Sequence, residues 1–302
     1  MSITEDRQGA TTVHAESRRG GLLAVFQDVS SNIVRLMCCN IAFVVFNIPA
    51  MGIAYLIAAF ILPKFSATLV PEEFVSTLVD MGLHGETNRS NDITGQEAAM
   101  SLYVLLMIFC IMLLVTSLLV CVGPVQTGFA RVYVHFAGGG SGSSVKEFIA
   151  GVRENLKQSI PAMLISFVVT FICLLSVSFY LSIGLIPLAA LFAVILVFFS
   201  LMQNIVYRMM VTERLKLFQI YKNALLVILI KLLPSIGMVI LNVVVFAVVP
   251  FVLLMSSQLV LIGIYVFLYL FVLTAVMHYL NSSYAAGLIS RFVAAEGEEQ
   301  DD

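Results

Sequence analysis

The sequence predicts an all-α polytopic membrane protein: six transmembrane helices with amphipathic surface helices on the cytosolic side. Three observations lead there. Of 302 residues, 60% are hydrophobic and only 11% charged, with a mean hydropathy of +1.03. Soluble domains carry about a quarter charged residues, so lipid must solvate most of this surface. Six apolar runs are long enough, at about 1.5 Å per residue, to cross a hydrocarbon core of about 30 Å. With the N-terminus inside, 14 of the 16 Lys and Arg residues fall on inner segments, against Lys64 and Arg89 outside. That asymmetry orients the chain with both termini in the cytosol.

Residues 1–20 are polar, of mixed charge, and lack the layout of a cleaved signal, so a disordered cytosolic tail is expected. A six-span membrane domain is expected over residues 21–291. Leu22, Phe26, Val29, Ile33 and Met37 recur at helical spacing with Gln27, Asp28, Asn32 and Arg35 between them. This predicts an amphipathic helix on the inner surface. The first span, 41–62, contains Asn47 and Pro49, which predict a kink. Residues 64–99 form an acidic external loop. In it, Pro71-Glu72-Glu73 followed by Phe74, Leu78 and Met81 predicts a short helix. Thr94-Gly95-Gln96-Glu97 reads as a capping box before the second span, 101–122.

The remaining spans are expected at 159–183, 185–207, 236–254 and 259–280. Between the fourth and fifth, Thr212 is expected to cap a second cytosolic amphipathic helix with Leu215, Phe218 and Leu225 on its apolar face. Residues 292–302 read as a solvated acidic tail. The five cysteines lie in or beside apolar runs, which suits packed thiols better than a disulfide framework.

The polar interruption from 123 to 158 carries the most information. Gly123-Pro124 ends the second span, because proline has no N–H to continue the helix ladder. Thr127 to Phe136 predicts a short surface helix carrying Arg131, and residues 138–144 a flexible connector. Ser144-Val145-Lys146-Glu147 reads as a capping box, followed at helical spacing by Val145, Phe148, Ile149, Val152 and Leu156. Lys146, Arg153 and Lys157 lie near the opposite face, where anionic headgroups or an acidic partner would meet them. Two readings follow, a helix floating on the inner leaflet or a docking surface for another protein.

Residues 139–142 match the short Gly-x-Ser-Gly motif of intramembrane serine proteases, with His278 as a nominal partner. Ser141, however, sits in a linker and not at the buried end of a span, and the same glycines lack the context of a phosphate loop. On the external loop, His84 with Glu86 and Asp92 reads as solvated and not as a metal site. No enzyme activity, cofactor, metal or nucleic-acid partner is expected.

No Asp, Glu, Lys or Arg falls within the six spans as drawn, which argues against a proton-coupled carrier. The polarity that exists is concentrated in the inner third, at Asn40, Asn47, Gln126, Gln203, Asn204, Asn242, His278 and Asn281. These form either interhelical hydrogen bonds, at about 0.6–2 kcal/mol each, or a polar pocket open to the cytosol.

Asn40, Asn47-Ile48-Pro49, Gly123-Pro124, Gly128, Phe148 and Arg153-Glu154-Asn155-Leu156-Lys157-Gln158 together resemble the YesL-like family of bacterial integral membrane proteins. The likeness is sharp over about 50 residues and looser elsewhere. That family is commonly encoded beside carbohydrate ABC transporters, so the resemblance implies an accessory role in sugar uptake in the bacterial plasma membrane, with permease subunits as partners. The docking elements would then be the helix bearing Phe148, Arg153, Asn155, Lys157 and Gln158, and a second over 213–222. The alternative is a transporter or channel for a small neutral solute through the inner polar layer.

Overall fold

The computed structural model describes residues 29–66, 69–80, 95–137, 143–213, 215–256 and 258–300. Among them 92% are helical and none is in a strand, so the protein is all-α. The helices are α1 (Ile33–Phe46), α2 (Ile48–Phe65), α3 (Pro71–Asp80), α4 (Gly95–Thr116), α5 (Gly123–Ala137), α6 (Ser144–Ser182), α7 (Ile186–Thr212) and α8 (Leu217–Ile230). Then follow α9 (Leu232–Val243) and α10 (Val249–Ser256), joined by a π-helical turn over Val244–Val248. Finally α11 (Leu259–Leu268) and α12 (Thr274–Gln300) are joined by another over Tyr269–Leu273. Six apolar segments are long enough to span a bilayer: Ile48–Phe65, Ala99–Thr116, Ser144–Ser182, Ile186–Thr212, Leu232–Leu254 and Val260–Ile289. Their exposed apolar side chains, among them Leu56, Val168, Ile186 and Val252, are suited to lipid contact.

Several elements depart from the sequence reading, each for a local reason. The expected kink in the first span is a break: α1 and α2 are separate helices meeting at Asn47. Pro49, in the first turn of α2, has no N–H to offer the carbonyl four residues back. In α1 the buried residues are Leu36, Cys39, Asn40 and Phe43, while Ile33 is exposed, so the packed face is not the one that the spacing of Ile33 and Met37 predicts. The expected second span over 101–122 stops at Thr116. The helix within the external loop forms as α3 and packs on α4, with Phe74 edge-on to Tyr103 at 5.5 Å. At the other end of the chain, α12 continues to Gln300, through Ala and Glu residues of high helix propensity that were expected to be a tail. The expectations for residues 1–28, 81–94, 138–142 and 301–302, including His84 and Ser141, lie outside the described residues.

The largest departure concerns 123–158. Instead of a surface helix, α5 is largely buried, with Gly123, Gln126, Thr127, Gly128, Phe129, Ala130, Val132, Tyr133 and Phe136 all inaccessible. The expected amphipathic helix and the third span are one helix, α6, which passes through Pro161 without stopping. Its N-cap is Ser143, whose side chain makes no cap bond, and Glu147 reaches across to Arg131 at 3.0 Å instead of closing a capping box. Arg131 also pairs with Glu154. Burial opposes charge on the Arg131 guanidinium, but Glu147 and Glu154 outweigh it and raise its affinity for the proton. Arg131 and Glu147 are about one-third exposed and Glu154 more than half, so these pairs add little stability by themselves.

Close backbone approach does more. A Cβ on Gly151 would stand 2.7 Å from Thr127 O and 3.0 Å from Gly128 Cα, and one on Gly123 would stand 2.2 Å from Ser159 O. One on Gly128 would meet the Phe148 ring at 2.6 Å. The α5–α6 pair is therefore a small-residue interface of the type that lets helices pack tightly in lipid.

Gly151→Ala is expected to destabilise the protein by about 1–3 kcal/mol, because the obstructing atoms include backbone. Gly263→Ala, with nothing within 4 Å of the added methyl, is expected to leave the melting temperature in detergent unchanged or slightly raised.

Candidate functional site

Inside a membrane bundle, backbone N–H and C=O groups that leave a helix must find partners in the protein. Residues 117–122, between α4 and α5, are such a case: the segment is irregular yet Leu118, Leu119, Val120 and Cys121 are buried. Leu118 has φ +58, a left-handed conformation that costs a residue with a Cβ roughly 1–2 kcal/mol. Side chains from elsewhere in the fold bond several of the freed groups. Ser200 Oγ donates to Ser117 O at 2.7 Å. Ser166 Oγ lies 3.2 Å from Leu118 O and 2.8 Å from Leu119 O, and Thr170 Oγ1 donates to Leu119 O at 3.3 Å. Val122 N donates to Asn47 Oδ1 at 3.0 Å. His278 Nε2 lies 2.8 Å from Thr116 O, and because a carbonyl can only accept, the imidazole carries its proton on Nε2.

The structure divides the sequence-predicted inner cluster into four places, one of them Gln203 alone, whose Nε2 donates to the Tyr221 hydroxyl at 3.2 Å. Asn47, Gln126, Asn204 and His278 surround the 117–122 segment. There the Gln126 amide reaches Asn47 Oδ1 at 3.4 Å, the Asn204 amide bonds Ser200 O at 3.2 Å, and His278 sits edge-on to Phe43 at 4.9 Å. Asn40 is elsewhere, bridging the π turn of the sixth span: its Nδ2 donates to Tyr269 O and its Oδ1 accepts from Ala275 N, both at 2.7 Å. Asn242 forms a reciprocal amide pair with Asn281, at 3.0 and 3.1 Å.

A cavity of about 30 Å³ adjoins the 117–122 segment. Gln126, Tyr133, Asn204, Arg208, His278 and Ser282 line it, with Leu118 at its wall. Arg208 was read from the sequence as a cytosolic charge just past the fourth span, and the structure buries it to 6% exposure. Its Nη1 donates to Ser282 Oγ at 2.6 Å, while its Nε has no partner, nor has the Tyr133 hydroxyl. Among the described residues the ion pairs all belong to Arg131, so no carboxylate neutralises Arg208. The signal was present: Arg208 stands between Tyr207 and Met209-Met210-Val211, an apolar setting that is a poor place for a solvated charge. Burial pushes the Tyr133 phenol well above its ordinary range, so it remains a hydrogen-bond donor.

A second feature lies at the basic end of the bundle, where α6 faces the link between α7 and α8. A cleft of about 880 Å³ is lined by Arg131, Glu154, Asn155, Gln158, Glu213 and Lys216, and Gln158 Nε2 ties its two sides by donating to Leu215 O at 3.0 Å. The expected docking residues do not share one face. Arg153 and Lys157 are exposed, and Asn155 bonds Gly151 O within its own helix. Phe148 is not free to dock, because it stacks on Phe46 at 5.5 Å and packs tilted against Phe129 at 5.0 Å.

The second amphipathic helix also differs. Thr212 remains inside α7, its hydroxyl bonded to Arg208 O, and Gln219 closes the start of α8 on Lys216 N at 3.2 Å. The face that α8 buries is Ile220, Ala224, Val227 and Ile228, while Phe218 is 81% exposed. This helix is apolar nearly all round, so spacing alone could not select the packed face. No known protein family, curated protein or solved structure matches the chain.

Asn47→Ala would strand the Val122 N–H in the core, an expected loss of about 1–3 kcal/mol. The melting temperature should fall accordingly, whereas Asn155→Ala, which removes a bond within one helix, should stay within about 0.5 kcal/mol of the parent.

Proposed function

We propose that this multi-pass membrane protein is a non-enzymatic accessory subunit that docks a partner on its basic end. One observation carries the reading. The α5–α6 pair is held together by backbone-close glycine contacts, and it presents Arg153 and Lys157 outward beside the cleft at Arg131, Glu154 and Gln158. At about 1.5 Å per residue α6 is nearly twice as long as a hydrocarbon core is thick, so much of its N-terminal half extends past the lipid tails. A rigid helix with outward cations recruits an acidic surface by electrostatic complementarity.

The charge asymmetry supports a cytosolic location for this end, and the resemblance to YesL-like proteins supports a bacterial plasma membrane. The resemblance to YesL-like proteins points to permease subunits of a carbohydrate ABC importer as the partner. Phe148 plays a supporting part here, fixing α6 against α1 and α5.

Purification in mild detergent followed by mass spectrometry should recover permease subunits with this protein. The double charge reversal Arg153→Glu/Lys157→Glu should reduce that recovery several-fold while membrane insertion is unchanged. Recovery of the protein alone, with solute flux in liposomes containing nothing else, would favour the carrier reading instead.

A further inference from the structure

We infer that the chamber around Arg208 is a binding site for a small inorganic anion of halide size. The guanidinium keeps its charge in a protein, and a buried charge needs a counter-charge or a full set of hydrogen bonds. Arg208 has neither: it is 6% exposed, no carboxylate pairs with it among the described residues, and its Nε–H has no partner. The Tyr133 hydroxyl, 3% exposed, is likewise unpartnered and lines the same cavity.

Other donors converge there. Ser282 Oγ accepts from Arg208, which leaves its own hydrogen to give. Gln126 and Asn204 each donate one amide hydrogen elsewhere and retain a second. The residues that line this one void thus carry a cationic fork, two hydroxyls and spare amide hydrogens, with no carboxylate among them.

Size narrows the guest. At about 30 Å³ of water-accessible space the void has room for about two waters. A monatomic halide is near this scale, whereas an organic carboxylate or a sugar phosphate is not. Water could fill the same space, but it would leave the charge of Arg208 uncompensated.

The site also has a structural consequence. Its liners come from α5, α7 and α12, so an anion there would join three helices at the point where the chain leaves the 117–122 segment. Occupancy would therefore stabilise the folded bundle by mass action.

The experiment measures thermal stability of the full-length protein in nanodiscs with sodium chloride, sodium bromide or sodium gluconate at equal ionic strength. Halide should raise the melting temperature saturably, and gluconate, too large for the chamber, should not. Tyr133→Phe keeps the ring and removes the hydroxyl, and should weaken apparent halide affinity about tenfold, as expected for one hydrogen bond to a charged group. Arg208→Gln also removes a buried hydrogen bond that the fold uses, so chloride-35 NMR line broadening on the parent and on Tyr133→Phe provides the direct binding readout. Equal melting temperatures in all three salts, without line broadening, would overturn the inference. So would a halide effect that Tyr133→Phe leaves unchanged.

Discussion

A helix that stops inside a membrane leaves polar backbone with no water to receive it, and in this protein that demand arises at residues 117–122. The second span ends at Thr116 and the chain does not regain helical geometry until Gly123. Each group that the break exposes calls for a side-chain partner from another part of the fold. Asn47 answers from the α1–α2 junction, Ser166 and Thr170 from α6, Ser200 from α7 and His278 from α12. The break thus cross-links four spans to the end of a fifth. The small hydroxyl residues scattered through apolar helices acquire a common reason, and so does the strained Leu118 at their centre.

What the break allows is the direction of α5. Turned back into the bundle, α5 lies against α6 at a separation that only Gly123, Gly128 and Gly151 permit. It also brings Gln126 and Tyr133 up to Arg208 on α7 and His278 on α12. The chamber and the basic cleft are two faces of the same arrangement: Tyr133 points its chemistry inward, while Arg131, two residues away, ties α5 to Glu147 and Glu154 on the outside.

Much of this was legible in the sequence and some was not, for physical reasons. Six spans follow from apolar length alone, because a bilayer imposes one thickness on every helix. Gln126, Asn204 and His278 were identifiable as candidates because an amide or imidazole in an apolar run needs a partner, but their partners were not. Backbone carbonyls at a break have no sequence signature, so Asn40 and Asn242 looked the same as Asn47. Arg208 was missed because it stands one residue beyond a span drawn by hydropathy, and a window treats the first charge as the boundary. The glycines of 138–142 stand out by composition, whereas Gly151, which with Gly128 sets the helix separation, stands among ordinary neighbours.

The central claim is that residues 117–122 are a buried break held by hydrogen bonds to other spans and not a loop open to water. Hydrogen–deuterium exchange of the protein in nanodiscs tests it directly. Amides of Leu118, Val120 and Val122, bonded to Val115 O, Leu114 O and Asn47 Oδ1, should exchange as slowly as those of α4. Exchange at the rate of a solvent-exposed loop would contradict the account.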